Sequence, residues 1–194
     1  MKNNNNVENY QTRRSAILRL ISVLFVFPEK ETSGIVQNLV DQLNCFDDNL
    51  IDLSLEIKKV FDTTELQTLQ VEYSKLFIGP SKEIVYPYGS VYLEGKKMVS
   101  CESTYWLEKR YREWGVSIDV KEPADHVALV LEYMFILSED DSEKSLTEQK
   151  LLYNDYVLKW IPSFCDLIVK KDYSNFYVSI AKLVKIIMDM HNPN

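Results

Sequence analysis

The strongest constraint on this chain is its shortage of helix breakers. Five glycines occur in 194 residues, against an average usage of roughly 7%. Three of them, Gly79, Gly89 and Gly95, share one stretch with Pro80 and Pro87, so long segments on either side carry little that stops a helix. Apolar residues in those segments recur three and four apart, the spacing of one helical face. Ile17, Leu20, Ile21, Leu24 and Phe27 predict a first helix from near Gln11 that Pro28 ends. Ile35 to Leu43 repeats the pattern behind Ser33, and Leu50 to Phe61 gives a weaker third segment. Thr64 with Gln67, and Ser145 with Glu148, read as capping boxes that start two more helices. Cys101 to Trp114 reads as a helix closed by Gly115, and Glu122-Pro123 as the opening of another, because proline suits a first helical turn. The helix behind Ser145 runs to about Trp160, Pro162 breaks or restarts it, and a last amphipathic segment covers about Tyr173 to Met190.

No strand set able to build a sheet is visible. The expected fold is all-α: a single globular domain of roughly eight or nine helices, packed ridge into groove. Residues 1–9, with four consecutive asparagines, are expected to form a disordered tail, and 10–194 the domain.

Charge and residue usage exclude several functions. The formal net charge is −7, with no basic stretch to meet a phosphate backbone, so nucleic acid is not an expected partner. Two histidines, one of them His191 near the end, leave little for a metal site or a Ser/His/Asp hydrolase, and no metal or cofactor is expected. Cys45, Cys101 and Cys165 form no C-x-x-C pair, and an odd count fits a reduced, cytoplasmic protein. Neither glycine pattern of the phosphate-binding loops is present. Thr12-Arg13-Arg14-Ser15 followed by the apolar run Ile17 to Phe27 imitates a twin-arginine export signal, but Arg19 interrupts the run and no small-x-small cleavage site follows. We read it as a first core helix. No apolar run reaches the roughly 18 residues that span a bilayer, so membrane insertion is not expected.

Two places could carry recognition chemistry. In Glu122-Pro123-Ala124-Asp125-His126, a helix beginning at Pro123 and turning about 100° per residue puts Asp125, Leu129 and Glu132 opposite the apolar stripe, an exposed or rim-facing acidic ledge. Such a ledge suits a guanidinium, while a plain capped helix start with a Glu122–His126 ion pair accounts for the same residues. The loop Tyr86-Pro87-Tyr88-Gly89-Ser90-Val91-Tyr92 mixes rigid aromatics with backbone-restricting residues. Peptide grooves do this, and so do loops anchored to a core. Cys101 lacks a neighbour that would activate it and reads as an inert thiol.

Taken in order, Glu72-Tyr73-Ser74-Lys75-Leu76-Phe77-Ile78-Gly79-Pro80, Pro87-Tyr88-Gly89-Ser90-Val91-Tyr92-Leu93, and Glu122-Pro123-Ala124-Asp125-His126 with Glu132-Tyr133-Met134 resemble the TorD/DmsD family of cytoplasmic molybdoenzyme chaperones. The resemblance extends over nearly the whole chain, with the DmsD branch slightly favoured by residues 87–91 and Tyr88 departing from the tryptophan usual there. It implies an all-helical protein without catalytic turnover. Such a protein binds the twin-arginine leader of a molybdopterin reductase catalytic subunit and holds the apo-enzyme until cofactor insertion, preventing premature export. The leader groove it implies comprises Leu76, Phe77, Gly79, Pro80, Pro87, Tyr88, Gly89, Ser90, Glu122, Pro123, Asp125 and His126. The helical hairpins permit a monomer or a domain-swapped dimer. A rival reading is a small nucleotide-dependent enzyme or regulator using His126 with Asp125 or Glu122 as an acid/base pair.

Overall fold

The computed structural model describes the backbone of residues 2–79, 84–95 and 101–190, and their side chains apart from 2–11 and 48. Within them the chain is all-α, nine longer helices and one short one. In chain order these are α1 (Lys2–Leu24), α2 (Thr32–Asn44), α3 (Ile51–Thr63), α4 (Leu66–Tyr73), the five-residue α5 (Gly89–Leu93), α6 (Glu102–Glu113), α7 (Val127–Ser138), α8 (Glu143–Asp155), α9 (Ile161–Lys171) and α10 (Asn175–Met190). A π-helical turn, Ser74–Ile78, prolongs α4, and two single 3₁₀ turns precede α3 and α9.

The expected core helix is α1, which buries Ile17, Leu18, Ile21 and Leu24, with Phe25 buried just beyond its end, and packs along α7 and α2. Helix α7 is apolar nearly all round, burying Val127, Ala128, Val130, Leu131, Tyr133, Met134 and Leu137, as a helix enclosed by others must. The second half of the core is aromatic. Phe25 lies 5.4 Å from Phe164 and 6.2 Å from Phe77, ring centre to ring centre, and Phe77 lies 5.3 Å from Tyr177. These rings tie α1, the π turn, α9 and α10 together in the edge-on and tilted arrangements that aromatic quadrupoles favour.

Several local expectations give way to tertiary structure. Backbone helix begins at Lys2 rather than near Gln11. Extending an existing helix costs far less than nucleating one. Thr64 starts no capping box: its hydroxyl donates back to the Val60 carbonyl at 2.7 Å, closing α3 instead of opening α4. Ser145 is likewise displaced by Ser142, whose Oγ accepts from the Ser145 amide at 3.1 Å and caps α8 three residues earlier. That helix ends at Asp155, short of Trp160, and Pro162 sits in the first turn of α9, where its missing amide hydrogen is harmless. Gly115 closes the turn after α6 with φ +67, the left-handed conformation expected of it. Most consequential, α7 starts at Val127, not at Pro123.

The Ser142 cap can be tested directly. Ser142→Ala should lower unfolding free energy by about 1 kcal/mol in denaturant melts, whereas a full capping box at Ser145 predicts no such loss.

Candidate functional site: an apolar cleft with an acidic mouth

The cleft is built by the exit of α1, the π turn, the 85–88 segment and the start of α7. Two side chains of α4 hold the α1 exit: Tyr73 donates its hydroxyl to the Phe25 carbonyl at 3.1 Å, and Gln70 its amide to the Pro28 carbonyl at 2.9 Å. Burial pushes the Tyr73 phenol up to about 12, keeping it a donor. Because α1 stops at Leu24, Val26 and Phe27 turn outward and remain 52% and 41% exposed. On the other side Ser74 closes the wide turn by accepting from the Gly79 amide at 2.9 Å. Gly79 takes φ +89 and ψ −177, a conformation nearly restricted to glycine. Ile78 is left 60% exposed beside Phe77.

The opposite wall is a backbone clamp. Val127 donates its amide to the Pro87 carbonyl at 2.8 Å and Gly89 donates to the Asp125 carbonyl at 3.0 Å, and these two bonds make an antiparallel bridge between Tyr88 and His126. Asp125 is fully buried, and its Oδ2 accepts from the Ser90 amide at 2.9 Å. His126 caps α7, its Nδ1 accepting from the Ala128 amide at 3.2 Å, and its ring packs edge-on to Tyr88. Burial lowers the His126 pKa, outweighing the pull of Glu122 and Asp125, so the ring is held neutral. The Glu122 carboxylate is engaged elsewhere, its Oε2 accepting from the Tyr88 hydroxyl at 2.8 Å.

The result is a cleft of about 340 Å³ whose lining is largely Val23, Val26, Phe27, Phe77, Ile78, Pro87, Val120 and Leu129. Tyr88 and His126 form one edge, and two carboxylates, Glu122 and Glu132, are the only charged residues among the described ones that line it. Phe27 connects it to a second groove of about 550 Å³ along Gln67, Gln70, Val71, Ser74, Lys75 and Gly79.

Of the twelve sequence-predicted residues, Phe77, Pro87, Tyr88, Glu122 and His126 line the cleft. Gly79 lies in the adjoining groove, Leu76 is buried behind it, and Gly89 and Ser90 lie beneath the loop. Pro123 lines a separate surface hollow, and Pro80 lies outside the described residues. The expected ledge is corrected: Asp125 points inward because the turn at Pro123 is not helical, which rotates it away from Glu132. The expected Glu122–His126 ion pair does not form either, since a neutral, buried His126 serves α7 and Glu122 serves Tyr88. The same commitments leave the acid/base pair of the rival reading unassembled. Sequence reasoning missed Val23, Val26, Ile78 and Val120 as cleft residues, although Phe27 and Ile78 stand at helix ends where a regular stripe stops being a guide to burial.

Beneath the loop, Asp125 Oδ1, Tyr156 Oη and Trp160 Nε1 are buried without a hydrogen-bond partner among the described residues. They gather around Gly89: a Cβ there would stand 2.3 Å from Tyr156 Oη and 3.2 Å from the Trp160 ring.

Fold and site together define an all-helical domain that holds open an apolar cleft with two carboxylates in its described lining. The particular family follows from its relatives. The family model described as nitrate reductase delta subunit matches residues 43–166. A protein named chaperone protein TorD from Vibrio parahaemolyticus is 30% identical over 159 residues, 77% of this chain and 68% of the relative. One named Tat proofreading chaperone DmsD from Salmonella typhi is 28% identical over 178 residues, 87% of this chain and 83% of the relative. The fold matches a crystal structure described as a redox enzyme maturation protein from Archaeoglobus fulgidus, with a TM-score of 0.63 and 21% identity over 88% of this chain and 93% of that one. The chain belongs to the TorD/DmsD family.

Two outcomes test the clamp. Gly89→Ala should destabilise by about 2 kcal/mol through overpacking, and Tyr156→Phe, nearly neutral alone because its hydroxyl is unpartnered, should recover part of that loss. Stability should fall as pH drops below the ordinary imidazole value of 6.5, because His126 takes up a proton more readily unfolded than folded. His126→Gln should reduce that fall in a pH series of thermal melts.

Proposed function

We propose that the protein is a cytoplasmic molybdoenzyme chaperone without catalytic turnover. It binds the twin-arginine leader of a molybdopterin-containing reductase subunit and holds the apo-enzyme until the cofactor is inserted, delaying export. The observation that carries the reading is the cleft, apolar along its length and negative at its mouth. Twin-arginine leaders present the complement, two guanidiniums followed by an apolar stretch. Exposed Val26, Phe27 and Ile78 are poorly placed for stability and well placed to be covered by such a stretch. The names of the Vibrio and Salmonella relatives support the same task.

A tagged pull-down from source cells grown without oxygen should capture a molybdopterin reductase subunit with its leader uncleaved. Recovery of no leader-bearing protein under several respiratory conditions counts against the reading. Ile78→Ser should weaken leader binding about tenfold, the cost of losing one covered aliphatic side chain, with little change in melting temperature because Ile78 is 60% exposed in the free protein.

A further inference from the structure

Resting on the leader reading, we propose that the two arginines are divided between two carboxylates from different elements, Glu122 of the turn before α7 and Glu132 of α7 itself, and that Asp125 contacts neither.

Glu132 reaches the cleft because Ala128, Leu129 and Glu132 share one face of α7, four residues apart at the ends, and all three line it. The face is polar only at Glu132, which is exposed. Glu122 is exposed too, and the Tyr88 hydroxyl fixes one of its oxygens while the other stays available. Neither glutamate forms an ion pair among the described residues, and among those residues no lysine or arginine lines the cleft. Two unneutralised carboxylates over an apolar floor favour a planar, weakly hydrated cation over an ammonium, because a guanidinium offers several donors in one plane and gives up its water more readily. The apolar segment then lies toward Val26, Phe27 and Ile78. Asp125, by contrast, is spent on the Ser90 amide inside the protein. It is a positioning residue, acting through the 87–90 segment.

The test is a calorimetric titration of the full chain with three synthetic peptides. One carries Ser-Arg-Arg ahead of a leucine- and alanine-rich stretch, and the other two have either arginine replaced by glutamine. Glu132→Gln should weaken the two-arginine peptide about fivefold, should weaken one single-arginine peptide similarly, and should leave the other unchanged. Glu122→Gln should show the opposite selectivity. Melting temperatures of both variants should match the wild type, whereas Asp125→Asn should lower melting temperature and affinity for all three peptides together. Equal loss against both single-arginine peptides, or no loss with Glu132→Gln, overturns the division. Failure of the wild-type protein to bind the two-arginine peptide overturns the leader reading itself, and the two failures are thereby told apart.

Discussion

The cleft depends on one buried carboxylate. Desolvating Asp125 is costly unless its charge is met by hydrogen bonds, and the Ser90 amide meets one oxygen from 35 positions away in sequence. That bond acts with two backbone bonds, Gly89 to Asp125 and Val127 to Pro87. Tyr111 adds a fourth tie by donating to the Ala124 carbonyl at 3.0 Å. Loop and helix start therefore form one unit: neither Tyr88 nor His126 can leave the cleft wall without stranding the carboxylate between them.

The other wall is rigid for a different reason. Phe77 belongs at once to the cleft and to the ring cluster with Phe25, Phe164 and Tyr177, so its position is set by dense packing rather than by a few directional bonds. The π turn places it there. Without the extra residue of that turn, Phe77 and Ile78 would be rotated, one out of the core and the other out of the cleft. Gly79 then absorbs the change of direction at a dihedral pair that other residues rarely adopt.

Helical class and most elements were legible because periodicity and punctuation are local signals. The site was legible only in part, and the failures are instructive. Asp125 was misplaced by assuming that Pro123 begins a helix. Pro123 is compatible with one, but Tyr88–His126 pairing and the His126 cap win, and a four-residue shift of the helix start turns an exposed acid into a buried one. The deciding partner, Tyr88, lies far from Asp125 in the sequence. Val26 and Phe27 continue the apolar run of α1, yet the side chains of Gln70 and Tyr73 end that helix's influence by binding the carbonyls around it. Glu132 was visible as the polar member of an apolar helix, but its proximity to Glu122 exists only once the turn is folded.

A preformed cleft also bears on how tightly it should hold a peptide. Its walls are fixed by the carboxylate clamp and the ring cluster, so the ordering cost of binding falls on the peptide. For the proposed leader, extended and flexible, docking costs much freedom, and that loss offsets part of the gain from covering Val26, Phe27 and Ile78. The two mouth carboxylates are exposed and screened, hence worth modest energy each, and serve discrimination more than affinity. Moderate affinity with high selectivity follows from this combination. It is also what the proposed holding role requires, because a client has to be released once folded.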